Sequence, residues 1–325
     1  MYRISVKCAI DGSKLKERNN GRPIDSDEVG KNEDVIGQTQ DVIERMKSHY
    51  LWREKRNDSV HGILNIFHQY FSATHSFSMI KLSSIPTTAP KGMKKSDLKD
   101  ETEQLIGRLG ELQHTMYAEG RHSVLVVLQG MDASGKDGAV RNVFRDCTIA
   151  GLDLASFKKP TEEEFAHDFL WRVHRWVPQK GMLTIFNRSH YEDILIQRVH
   201  KWITEERVEK RMAAINAFED LLLCDNNTLI FKFYMHISKE EQEVELRQRL
   251  DDPSKFWKHN DGDWEERKLW DEYMAAYEWA IHHSTTPWYI CPVDQRWYRD
   301  YFMAKTLVEG LEKLDMKLPT SPQKG

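Results

Sequence analysis

The chain of 325 residues carries 47 Lys and Arg against 51 Asp and Glu, a formal net charge of −4, with 40% hydrophobic residues and 10 tryptophans. That much apolar and aromatic material excludes a wholly disordered chain, and the acidic balance argues against a general nucleic-acid binder. At roughly 100 to 200 residues per domain, the length fits one large or two ordinary domains.

Cys8, Cys147, Cys224 and Cys291 are widely spaced, with no C-x-x-C pair, which argues against a zinc site or a disulfide scaffold. The long uncharged stretch between Asp58 and Lys81 is interrupted by His61, Asn65, His68 and Gln69, so it cannot cross a bilayer. The N-terminus has no apolar signal region, and its acidic residues argue against a transit peptide. These features predict a cytoplasmic protein without a membrane partner. Charge is unevenly spread: residues 1–100 hold 17 basic and 13 acidic residues, a net of +4, leaving −8 for the remainder.

Up to about residue 95 the pattern is irregular, with helix-like spacing only from Asp41 to Tyr70, so residues 1–95 read as an irregular or partly helical extension or a small domain. From Lys99 the order sharpens. Leu105, Leu109, Leu112 and Met116 predict a helix ending at Gly120, and Ser123 to Leu128 predicts a strand buried on both faces. Then come a helix from Lys136 to Cys147, a strand from Leu154 to Phe157, a helix from Glu163 to Trp176 and a strand from Met182 to Phe186. Helices from Tyr191 to Val199 and from Glu206 to Leu223 precede a strand from Thr228 to Met235. A charged helix from Lys239 to Leu250, a helix from Asp263 to His282, a strand from Trp288 to Cys291 and a helix to Leu314 complete the order. The alternation predicts an α/β fold: a doubly wound parallel sheet of about five strands with helices on both faces.

The strongest chemical signal is Gly130-Met-Asp132-Ala133-Ser134-Gly135-Lys136-Asp137-Gly138, placed after a buried strand and at the start of a helix. Backbone N–H groups of such a turn converge on phosphate oxygens, and the lysine adds a mobile positive charge. The spacing G-x4-G-K fits a phosphate loop, although Asp137 replaces the usual hydroxyl residue. Two carboxylates, Asp132 and Asp137, would repel a polyphosphate unless a divalent cation intervenes, which implies Mg2+. The second signal is Asn187-Arg188-Ser-His-Tyr-Glu192, where a strand gives way to a helix at the same sheet edge. Arg188 and Glu192 fall at i,i+4, either as a plain surface ion pair or as groups that neutralise a phosphoryl group and orient a nucleotide or metal. The third is Arg247 to Arg267, with Lys255, Lys258 and His259 around Trp257 and Trp264, read as a mobile basic lid or a solvated helix-turn-helix.

GMDASGKDG, SFKKPTEEEFAHDFLWRVHR (156–175), FNRSHYEDILIQRVH (186–200) and FWKHNDGDWEERKLWDEY (256–273) stand in one order, and the chain from about 99 to 318 resembles the polyphosphate kinase 2 family. The resemblance implies a P-loop kinase fold over residues 96–325, with a helical lid at about 239–275. It implies Mg2+-dependent transfer of a terminal phosphoryl group between inorganic polyphosphate and AMP or ADP, by direct in-line displacement. In this reading Asp132, Lys136, Asp137, Arg188 and Glu192 are catalytic, and Asp132 and Asp137 hold the metal. Gly130, Ala133, Ser134, Gly135, Lys136, Gly138, Arg198 and Lys258 bind phosphates, while Asn187 and Glu192 bind the adenine, or guanine, nucleotide. Glu192 resembles members that accept AMP as well as ADP. A homo-dimer or tetramer is implied as well. The alternatives are a phosphotransferase restricted to nucleoside diphosphates, an ATP-dependent nucleotide kinase, and a nucleotide-binding regulatory module without turnover.

Overall fold

The computed structural model describes residues 80–320, which lie in the second of the chain's two units, Phe77–Gly325. The extension expected at the N-terminus, including the helical span 41–70, falls outside the described residues up to position 79.

Five strands form one parallel sheet: β1 Ser123–Gln129, β2 Leu152–Ser156, β3 Leu183–Asn187, β4 Thr228–His236 and β5 Trp288–Pro292, in the order β2-β3-β1-β4-β5. The helices, in chain order, are α1 Lys95–Glu119, α2 Lys136–Val143, α3 Glu162–Phe165, α4 Trp171–His174, α5 Ile196–Val199, α6 Glu205–Asp225, α7 Lys239–Asp251, α8 Asp261–Lys268, α9 Trp270–His283 and α10 Arg296–Leu311. The central strand β1 is buried along its whole length, which is why its sequence is an almost continuous apolar run. Its side chains alternate between two cores. Val124, Val126 and Leu128 join a large core with Met116 of α1 and Met303 and Leu307 of α10, whereas Leu125 and Val127 join Phe157, Val173, Phe186, Phe218 and Leu222 on the other face. The register pairs Leu128 with Asn187, so the glycine loop after β1 and the segment after β3 leave the sheet side by side.

The expected strands all form, but several helices are shorter than their sequence periodicity suggests. The helix expected over 136–147 stops at Val143. The one expected over 163–176 is two single turns, because the Asp168 carboxylate accepts from the Leu170 N–H (3.0 Å) and so competes with continuous helical bonding. The segment 191–199 opens as a 3-10 turn, His190–Asp193, before α5, and the helix expected over 263–282 breaks at Leu269 between α8 and α9.

Residues 80–94, grouped with the extension in the sequence reading, are tied to the sheet. Leu82 is buried and its N–H donates to Glu278 Oε1 (2.7 Å). The Ile85 carbonyl accepts from His236 Nε2 (3.0 Å), and Thr87 Oγ1 donates to Asp294 Oδ2 (2.6 Å). No helix among the described residues is long and apolar enough to cross a membrane.

Candidate active site

The glycine loop wraps back on itself at the carboxyl edge of β1. Gly130 has φ 153°, and a side chain there would meet the Met235 carbonyl at 2.8 Å, so the close approach to β4 requires glycine. Gly135, with φ 83°, caps the start of α2. Ala133 also takes a positive φ of 64°, a conformation uncommon for a residue with a side chain. The first N–H groups of α2 follow directly on this turn and have no side-chain cap at Gly135; a helix start of this kind suits an anion.

Lys136 is held more closely than the mobile positive charge expected from the sequence. It is only 8% exposed, and its ammonium donates to Gly130 O (2.8 Å), Met131 O (3.0 Å) and Ser134 Oγ (3.3 Å). Burial pushes its pKa down to about 8, and the Arg188 charge adds to this against the opposing pull of Asp132, Glu192 and Asp137.

The loop and the segment after β3 are joined by two polar contacts. Arg188 Nη2 bonds the Asp132 carboxylate, and Asn187 Nδ2 donates to Asp137 Oδ1 (2.7 Å). Arg188 and Glu192 meet at 4.0 Å, although not as neighbours on a helical face. Arg188 has φ 61° and precedes the 3-10 turn, whose start is capped by Ser189 Oγ accepting from the Tyr191 N–H (3.2 Å). Burial opposes the charge of Arg188, but Asp132 and Glu192 outweigh it and hold the guanidinium more firmly protonated than usual.

A buried ionic cluster supports this segment from behind. Lys232 of β4 donates to Glu219 Oε2 (2.7 Å) and to Tyr191 OH (2.6 Å), Tyr191 OH donates to Glu219 Oε1 (3.0 Å), and His190 Nε2 lies 3.3 Å from the same oxygen. The region between β4 and β5 approaches the loop from the other side. Gln242 of α7 donates to the Asp132 carbonyl (3.1 Å) and accepts from Arg267 of α8 (2.9 Å). Arg299 of α10 is buried and donates to the Gly135 carbonyl (3.0 Å).

The structure therefore brings together Gly130, Asp132, Ala133, Ser134, Gly135, Lys136, Asp137, Gly138, Asn187, Arg188 and Glu192. Arg198 turns to Glu205 (2.5 Å) and lies over the Trp279 ring, while Lys258 is exposed beside Trp257. Arg172, within the motif 156–175, is buried, with its partners at Lys158 O (2.8 Å) and Asp193 (3.4 Å). Sequence reasoning missed Gln129, Ser189, Glu219, Lys232, Gln242 and Arg299. A lone lysine inside the apolar run of β4 and a glutamine ending β1 were the available signals for two of them; the others carry none.

Chemically, the arrangement offers a helix N-terminus, a lysine of lowered pKa, a firmly charged arginine and two carboxylates at one sheet edge, a set suited to handling phosphate. Residues 92–319 match the family model described as Polyphosphate kinase 2 (PPK2). Over 246 residues the chain is 48% identical to the AMP/ADP-polyphosphate phosphotransferase of Meiothermus ruber, covering 75% of this chain and 91% of that protein. It is 39% identical over 233 residues to the ADP-polyphosphate phosphotransferase of Rhodopseudomonas palustris, covering 67% and 80%. The fold is similar to the crystal structure of polyphosphate kinase 2 from Arthrobacter aurescens TC1, with a TM-score of 0.73 and 39% identity over 78% of this chain and 93% of that one. With its fold, its paired loops and most of its length matched, this chain belongs to the polyphosphate kinase 2 family.

Proposed function

We propose that the protein transfers the terminal phosphoryl group between inorganic polyphosphate and adenine nucleotides, AMP to ADP and ADP to ATP, in a Mg2+-dependent reaction. The observation that carries this reading is the joining of the glycine loop to the segment after β3 through Asp132–Arg188 and Asp137–Asn187. The names of the relatives from Meiothermus ruber and Rhodopseudomonas palustris support the substrate class, and the former supports AMP as an acceptor beside ADP.

Asp132 is partly exposed and Asp137 exposed, and each carboxylate has one side-chain partner, which leaves oxygen lone pairs available. Such a donor set fits Mg2+, which takes one or two carboxylates and completes its shell with phosphate and water. When bound, the ion supplies charge neutralisation between carboxylates and phosphates. Lys136 and the loop N–H groups bind the bridging and transferred phosphates, and the Gly130 and Met131 carbonyls hold the ammonium until phosphate competes for it. Arg188 stabilises the charge of the phosphoryl group in flight. Asn187 and Glu192 orient the acceptor nucleotide. Lys258 is free to follow the polyphosphate chain, whereas Arg198 would have to leave Glu205 to do so.

In-line transfer without a covalent intermediate fits the surroundings. Cys147 is buried, and burial raises its thiol to about 12, so it holds no thiolate at neutral pH. The reading extends to guanine nucleotides as secondary acceptors, to a homo-dimer or tetramer and to a cytoplasmic setting. Lys136→Ala tests the loop assignment: ATP formation from ADP and polyphosphate should fall by at least about a hundredfold, and a near wild-type rate would refute it.

A further inference from the structure

The last residue of β1 is polar and wholly buried. Gln129 has 0% exposure, and a buried amide that leaves its donors or acceptor unmade is costly. Its partners lie on the segment after β3. The Tyr191 N–H donates to Ser189 Oγ (3.2 Å), the Ser189 hydroxyl donates to Gln129 Oε1 (3.3 Å), and Gln129 Nε2 donates to Glu192 Oε1 (3.0 Å). The donors run in one direction along this chain. Because Ser189 presents its hydrogen to the amide oxygen, the NH2 end must face the carboxylate, and the opposite orientation would bring two acceptors together at Glu192. The second carboxylate oxygen of Glu192 faces Arg188 Nη1 at 4.0 Å.

Glu192 is thus held from two sides, by the strand that leads into the glycine loop and by the arginine that bonds Asp132. A free glutamate gives up considerable rotamer freedom when a ligand orders it, and a carboxylate already fixed avoids that cost. AMP brings one phosphoryl group fewer than ADP, so a larger share of its binding must come from contacts away from the phosphate loop.

We propose that Gln129 is a positioning residue that fixes the Glu192 carboxylate and thereby sets the preference between AMP and ADP as acceptor. The inference rests on the reading of Glu192 as the group that orients the nucleotide. Steady-state kinetics with AMP and with ADP at saturating polyphosphate, on wild type, Gln129→Met, Ser189→Ala and Glu192→Asn, test both and separate them. Gln129→Met keeps the side-chain volume and removes the donor to the carboxylate. It should lower the ratio of kcat/KM for AMP to that for ADP about tenfold, mainly through a higher KM for AMP, as expected for losing a hydrogen bond to a charged group. Ser189→Ala leaves Gln129 in place with its amide unoriented and should shift the ratio in the same direction by a smaller factor, so it decides the matter if Gln129→Met does not fold. A ratio unchanged in the Gln129 and Ser189 variants, or equal losses with both acceptors, overturns the proposal for Gln129 while a shifted ratio in Glu192→Asn leaves the Glu192 reading standing. An unchanged ratio in Glu192→Asn overturns both.

Discussion

Arg188 and Asp132 stand 56 residues apart, in two different motifs, and the guanidinium of one closes on the carboxylate of the other. The pair couples the glycine loop to the segment after β3, and in the proposed reaction it would keep a charged arginine ready where phosphate oxygens develop negative charge. Arg188→Ala should therefore lower kcat by about 10²- to 10³-fold, with a smaller change in KM. Arg188→Lys should recover only part of this, since an ammonium lacks the planar fork. Initial rates of ATP formation from ADP and polyphosphate decide it; a kcat within a few-fold of wild type in the alanine variant would remove Arg188 from the chemistry.

Lys136 should impose an alkaline limit. Its pKa in the folded protein is about 8, against an ordinary 10.5, so the substrate-free enzyme loses this charge as pH rises through 8. The profile of kcat/KM for polyphosphate should fall above that point, since this quantity reports the free enzyme. Lys136→Arg, which stays charged, should lack the fall in whatever activity it retains. Stability moves the other way: between about 8 and 10.5 the unfolded chain holds a proton that the folded chain has lost, so the penalty of burying this lysine lessens with rising pH.

The buried cluster behind the site should dominate the stability of that region. Burial alone would raise the pKa of Glu219, but the Lys232 ammonium and His190 hold it down to about 2. Lys232→Met would leave an uncompensated buried carboxylate and should cost about 3 to 5 kcal/mol at pH 7. Because the folded pKa of Glu219 lies below its ordinary 4.5, its contribution is complete above 4.5 and is lost as pH falls toward 2. Denaturant titrations of wild type and Glu219→Gln should therefore show a stability gap that narrows below pH 4.5. A gap independent of pH would contradict this account.

Two glycines should respond oppositely to the same substitution. At Gly135 the backbone is left-handed, and an added methyl would stand 1.9 Å from Arg296 Nη1 and 2.6 Å from Arg299 Nη1. Gly135→Ala should lose about 1 to 2 kcal/mol from backbone strain alone, and KM for polyphosphate should rise as the cradle opens. Gly107 lies inside α1 with nothing within 4 Å of an added methyl, so Gly107→Ala should stabilise by about 0.5 to 1 kcal/mol and leave the kinetics unchanged. Melting curves beside the two kinetic assays separate these effects.

The sheet was legible because β1 is buried on both faces and carries an uninterrupted apolar run, and the loop because glycine and lysine spacing follows from local backbone demands at Gly130 and Gly135. The relation of Arg188 to Glu192 was read from i,i+4 spacing; the two do meet, but through a left-handed residue and a 3-10 turn, since Ser189 caps the chain there and prevents a continuous helix. Gln129, Glu219 and Lys232 could not be assigned from sequence, because their roles depend on partners 63, 28 and 41 residues away that only the folded sheet brings within hydrogen-bonding distance. The net charge carries no information on the site for a similar reason. The acidic remainder of the chain holds the basic groups that meet at one edge, and a sum over residues does not record where they meet.

The most direct test incubates the purified full-length protein with Mg2+, polyphosphate and, separately, AMP, ADP, GMP or GDP, with ATP plus AMP as a comparison, and separates the nucleotides by chromatography. The account predicts ADP and ATP from AMP, and ATP from ADP, with polyphosphate as the donor. Phosphorylation that requires ATP and does not proceed with polyphosphate would contradict it.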